Sequence, residues 1–377
     1  MKSIRALCAW VAVVLPTMGC TWETKLPDDA TAIHVERGRE LVITDDAVLR
    51  TLSSNADDGP LGFRRAMDRL PMRAPSGGST LAWMRSWSQR LRDEGESARA
   101  DALDATITCP WLRRTPANLC DASCVACAAT ELRLEESPFR LIAVANRTDL
   151  SVMPDRAADG GEGRLVFALT DGPADAPDSH PLPFTVIIEY AQIGSPSEWA
   201  RRWHTLGASP DAAFPTDLAN VAGAFVEPGS LAQIRTADAV TGALVLHEFR
   251  LDAGQLVATT VRNTPNWMAV SEADVRTFAA GQANAITEGT YVLPKSWLAS
   301  SSALRGTAPS YLATVANQDA LVHGTCGGCH QETARGFQID PLASGDRKLS
   351  RFLIDPKKDL DEVGRRTQWM QMTLSKR

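Results

Sequence analysis

The sequence predicts an α+β fold: a mixed or antiparallel sheet body with flanking helices, followed by a small, mainly helical C-terminal module. Three observations point there. Residues 141–145, 165–169 and 184–188 are apolar runs of strand length, set apart by stretches rich in Gly, Pro and Asp. Residues 244–251 and 256–261 flank Asp252-Ala253-Gly254-Gln255, a hairpin pattern. Helical spacing recurs before, between and after these runs, which a sheet flanked by helices requires.

Taken from the N-terminus, Lys2 and Arg5 precede an apolar stretch over 6–18, closed by Gly19-Cys20. This is the layout of a secretory signal and is too short to span a membrane. A Cys directly after a small residue is similar to a bacterial lipobox, with Thr17 where Leu is usual. Cleavage there would leave Cys20 as a lipidated N-terminus, and Thr21 rather than Asp beside it favours the outer membrane; ordinary signal-peptidase cleavage nearby is the alternative. Residues 1–19 are thus read as signal peptide, 20–40 as anchor and tether, 41–308 as the body and 309–377 as the C-terminal module. The implied location is the outer membrane, facing the periplasm or the cell surface.

A short helix is expected over 61–70. A stronger one follows Ser79, with Leu81, Met84, Trp87 and Leu91 on one face and Gly95 at its end. Cys109, Cys120, Cys124 and Cys127 come next; in an oxidising compartment they read as two disulfides, with three connectivities open and a four-cysteine zinc site as rival. Helices are expected again over 197–206 and 216–225, and Ser271 with Asp274 makes a capping box. His247 shares a strand face with Val245, Phe249 and Leu251, the setting of a core histidine.

The net charge of −6 offers no basic field, so nucleic acid is not an expected partner. The sharpest chemical signal is Cys326-Gly327-Gly328-Cys329-His330, a C-x-x-C-H run. Two thiols at this spacing can reach the vinyl groups of one porphyrin, and the adjacent imidazole can ligate the iron. One covalent haem c is therefore expected, with His330 proximal. Met370 or His323 is a candidate sixth ligand, although Leu360, Val363, Thr367, Met370 and Leu374 also trace one helical face. A disulfide between Cys326 and Cys329 is the rival. A second constellation gathers at strand ends: Asn146, Arg147, Asp149, Glu162, Arg164 and Glu189, which can bind a polar ligand or form a structural ion-pair network. No G-x-S-x-G, P-loop or H-E-x-x-H run is present, so no hydrolase, nucleotide or zinc-protease mechanism is signalled.

The segments PFRLIAVANRTDL, GEGRLVFAL, LPFTVIIEY, WARRWHTLG, QIRTAD, HEFRL, TCGGCHQET and LSRFL, in this order, resemble an uncharacterised exported family common in myxobacteria. The resemblance covers most of the chain from about Ser137 onward. It implies that the sheet body and the C-x-x-C-H segment form one architecture, and it implies no activity. Such proteins often carry a His shortly after the haem motif, where this chain has Gly336-Phe337-Gln338-Ile339. The expected function is electron transfer or redox sensing with a redox partner in the cell envelope. The alternatives are a non-redox lipoprotein binding a ligand or partner, and a haem enzyme such as a peroxidase.

Overall fold

The computed structural model describes residues 33–114, 130–153, 160–242, 244–298, 312, 315, 317–331, 336–355, 357 and 361–376. The signal peptide, Cys20, Cys120, Cys124, Cys127 and the expected boundary at 308/309 lie outside the described residues.

The chain is α+β. It opens with α1 (Arg37–Glu40), β1 (Val42–Ile43), α2 (Asp46–Leu52), α3 (Phe63–Asp68), α4 (Ser76–Asp93), α5 (Ser97–Leu103) and α6 (Cys109–Arg113). Next come β2 (Phe139–Arg147), β3 (Glu162–Thr170), β4 (Pro181–Ala191), α7 (Pro196–His204), α8 (Phe214–Gly223), β5 (Leu231–Asp238), β6 (Val245–Asp252) and β7 (Gln255–Thr259). Among the described residues that follow are the helices α9 (Glu272–Gly281), α10 (Ala283–Glu288), α11 (Gln318–His323), α12 (Cys326–Gln331) and α13 (Glu362–Ser375). The seven strands form one sheet in sequence order, and every neighbouring pair is antiparallel. The β6–β7 turn places Ala253 and Gly254 at φ +47° and +76°, the two left-handed positions of a type I′ hairpin.

Because side chains alternate along a strand, register decides what each face carries. One face presents Phe139, Phe167, Phe184 and Phe249 to α3 and α4. Phe63 stacks on Phe139 at 3.9 Å, Trp83 meets Phe249 edge-on at 5.9 Å, and Trp87 meets Phe184 at 6.2 Å. The helix expected after Ser79 is α4, and Leu81, Met84, Trp87 and Leu91 are all buried on it. At the β1 end, Phe225 covers β3 so closely that a Cβ on Gly163 would lie 2.6 Å from its ring. His247 is on this apolar face beside Phe249; burial lowers its pKa to about 3, leaving a neutral core imidazole.

Two expectations meet a different arrangement. Residues 33–40, read as the end of a tether, belong to the folded body: Val35 and Glu40 are buried, and Asn146 Nδ2 donates to the Glu40 carbonyl (3.1 Å). A polar stretch without periodicity looks like a tether because the contacts that bury it come from residues far along the chain. The C-terminal region divides likewise. Trp267, Val275, Ile286, Tyr291, Leu293 and Leu321 form a small cluster of their own, whereas Val363 and Met370 on α13 join the main core.

Candidate functional site

The second face of the sheet is charged. Register sets Arg147 opposite Glu162, Arg164 opposite Glu189, Glu189 opposite Gln233, and Arg235 opposite Glu248. The result is a row of alternating sign running across β2 to β6. Arg164 Nη2 is 2.7 Å from Glu162 and 3.3 Å from Glu189. Arg235 bridges Glu189 (3.4 Å) and Glu248 (3.2 Å), and Gln233 Nε2 donates to Glu189 (2.5 Å). Arg250 takes the other oxygen of Glu248 at 3.0 Å. At the opposite end Arg147 holds Asp149 through two bonds of 2.9 and 3.0 Å, and Arg365 of α13 takes Asp149 at 2.8 Å. Glu362 receives Arg365 (2.9 Å) and Arg366 (3.0 Å), tying α13 to the row.

Burying charge is costly unless each ion is paired and hydrogen-bonded. Glu189 and Glu248 are fully buried and Glu162 nearly so, and each meets that condition. Burial by itself would raise the pKa of Glu248; Arg235, the Arg262 N–H, Arg250 and Arg262 reverse this and hold it ionised. Burial also opposes ionisation of Asp149, and Arg147, Arg365 and Arg366 overcome it.

Five of the six polar residues singled out in the sequence are in this network. Asn146 is not. One position along from Arg147, it faces the other way: Oδ1 accepts from Thr148 N–H (2.9 Å), and Nδ2 lies 3.9 Å from Met370 Sδ. Sequence reasoning missed Arg235, Glu248, Arg250, Glu362, Arg365 and Arg366. The i, i+2 spacing of Gln233 with Arg235, and of Glu248 with Arg250, was the available signal.

The Cys326–His330 turn sits over this face. Thr325 Oγ1 accepts from Gly328 N–H (3.2 Å), and Cys326 N–H donates to the Asn263 carbonyl (2.9 Å), fixing α12 to the chain just after β7. Cys326 packs with Ala237, Leu246, Val261 and Phe337, and its Sγ lies 3.2 Å from the Arg262 carbonyl. Glu362, Arg147 and Arg366 are the charges acting on Cys329, so the two constellations found separately in the sequence share one location. Burial pushes the Cys326 thiol up and the Cys329 thiol to about 12, so both are protonated at neutral pH. Among the described residues no disulfide is formed. Cys109 is buried at the first turn of α6, and Cys120, Cys124 and Cys127, one of which is its expected disulfide partner, lie outside the described residues.

His330 is held through Nδ1 by the Gly336 carbonyl. Gly336 has φ +84°, and a Cβ there would lie 2.6 Å from Leu244 Cβ, so only glycine brings this carbonyl to the ring without strain. The stretch just after the motif therefore supplies a backbone acceptor to His330. Burial lowers the pKa of His330, which keeps its imidazole neutral. With Nδ1 donating, the lone pair belongs to Nε2, the tautomer of a metal-ligating histidine with a backbone partner. Met370 is 1% exposed in the main core with its sulfur toward Asn146, and His323 is the last residue of α11. Among the described residues no group of three or more His, Cys, Asp or Glu side chains is arranged to hold a metal ion. A haem, whose porphyrin brings four nitrogens of its own, does not need such a group.

No family model matches the chain, and neither a curated protein nor a solved structure is significantly similar to it.

Proposed function

We propose that this chain carries one covalent c-type haem, attached through Cys326 and Cys329 and ligated by His330, and that it serves electron transfer or redox sensing in the cell envelope. The observation that carries the reading is the His330–Gly336 contact: within a C-x-x-C-H turn, the imidazole is neutral and already in the ligating tautomer. When bound, the haem would supply a one-electron iron couple. The chain's own part is to present Nε2 and to hold the turn against the sheet through Asn263, Thr325 and the Phe337 contact. Protonated thiols are poor nucleophiles, so the geometry gives less support to a dithiol exchange site. Each arginine of the charged row already has a carboxylate partner, which favours a framework role for the row over ligand capture. Met370 is left out of the proposed ligand set because the core and Asn146 account for it.

Export, lipidation at Cys20, membership of the exported family and a redox partner in the envelope belong to the same proposal. They rest on the sequence alone. No helix among the described residues is long and apolar enough to cross a membrane. Cys20→Ala should release the protein into the soluble fraction or stall its processing.

The deciding experiment is expression in a host that matures c-type cytochromes. Haem should survive denaturing electrophoresis and give a sharp Soret band. Cys326→Ala with Cys329→Ala should abolish both, and His330→Ala should alter the spectrum. Protein that folds there without covalent haem would overturn the reading.

A further inference from the structure

A cleft lined in part by the N-terminal segment has a separate chemistry. It is an open depression of about 500 Å³ between α1 and the end of α7, lined by His34, Glu40, Arg201, His204, Gly207 and Ala208. That volume lies within the usual range for small-ligand sites, roughly 300–1,000 Å³.

Its floor is a carboxylate–imidazole pair. Glu40 is 1% exposed, its Oε1 accepts from Glu36 N–H (2.8 Å), and its Oε2 lies 2.8 Å from His204 Nδ1. Gly207 makes the approach possible, because a Cβ there would overlap Glu40 Oε1. The one carboxylate in the lining is thus engaged at both oxygens, by the Glu36 N–H and by His204. Three arginines lie near the cleft. Arg39 is paired with Asp211 (3.0 Å) and the Ser209 carbonyl (2.7 Å), and Arg202 with Glu198 (2.9 Å) while lying over the Trp199 ring. Arg201, which lines the cleft, has no ion-pair partner among the described residues. A structural His–Glu pair requires neither an opening of this size nor an unpaired guanidinium beside it. The partial negative charge at the end of α7, about half a unit, is smaller than the charge Arg201 brings.

We propose that this cleft binds a small soluble ligand through an oxyanion group, a phosphate or a carboxylate, gripped by Arg201 and by His204 on its Glu40 support. The site is independent of the haem reading. Guanidinium groups bind such oxyanions through two parallel hydrogen bonds, and the imidazolium form of His204, with Nδ1–H on Glu40, would donate its Nε2–H as a third.

The test is titration of the purified full chain with inorganic phosphate and, separately, with acetate, followed through the imidazole NMR signals of His204. A saturable shift with either probe is expected; saturation by only one would identify the oxyanion class. Arg201→Gln should weaken it about tenfold, the loss of one charge-assisted contact. Arg202→Gln changes net charge equally, one position away, and should bind as the wild type does. Two results would overturn the proposal: no saturable shift with either probe, or equal weakening in both variants, which would mark a non-specific charge effect.

Discussion

The two faces of the sheet use the same two-residue alternation to opposite ends. On one, Phe139, Phe167, Phe184 and Phe249 meet Phe63, Trp83 and Trp87, and stability follows from removing large apolar surfaces from water. On the other, Glu162, Glu189 and Glu248 are buried just as deeply, but their burial is tolerable only because arginines from neighbouring strands and α13 neutralise them. The apolar face accepts any close-packed filling of the right volume. The charged face accepts only a matched set, since Arg147, Arg164, Arg235 and Arg365 each serve two carboxylates. A network of that kind adds little net stability and much positional definition. Here it defines the surface on which the Cys326–His330 turn rests.

Four measurements would break or sharpen this contrast. The largest effect is expected from Trp83→Ala, which empties the centre of the aromatic face. It should cost about 3–5 kcal/mol in urea unfolding, and a loss under 1 kcal/mol would mean that this face is not the principal core. Arg164→Ala should cost about 3 kcal/mol by stranding Glu162, and most of that should return in the double variant Arg164→Met with Glu162→Gln. No return in the double variant would show that the row contributes net stability after all.

Acid titration separates the faces by window. Burial lowers the pKa of His247 from its ordinary 6.5 to about 3. Between pH 6.5 and 4.5 the unfolded chain takes a proton that the native chain excludes, so stability falls as pH falls, on the order of 2 kcal/mol over that interval. Although burial would raise its pKa, Glu362 is held below its ordinary 4.5 by Arg365 and Arg366. Its contribution is present above 4.5 and is also lost as pH falls, but only from there downward. His247→Gln should therefore flatten the stability profile between pH 6.5 and 4.5, and Glu362→Gln should flatten it only below 4.5. Matching profiles in the two variants would refute the division. The smallest effect is expected at the exposed end of the row: Arg250, 45% exposed, should cost under about 1 kcal/mol when replaced by Ala.

The strand cores, α4, α7, α8, the β6–β7 hairpin and the Ser271 cap were legible because each is written in a few neighbouring residues. The Ser271 side chain does accept from Asp274 N–H, at 3.1 Å. β1 and β5 were harder to see. β1 has two residues, and β5 reads LAQIRTAD, where Arg and Asp hide the alternation.

The candidate site divides the same way. The Cys326, Cys329 and His330 spacing was plain in the sequence, and so were the charges from Arg147 to Glu189. That they meet was not, nor that Arg235 and Glu362 complete the set. What the sequence determined alone is what periodicity and short spacing encode: the fold class, most elements, the paired cysteines with their histidine, and the apolar face. Which charges pair, which acceptor holds His330, and that Asn146 and Met370 turn to the core while Arg147 turns away were decided only by tertiary structure. Glu189 and Arg235 are 46 positions apart, and Asn146 and Met370 are 224. Strand register alone brings the first pair together, and the docking of α13 the second, and neither is expressed in any local pattern.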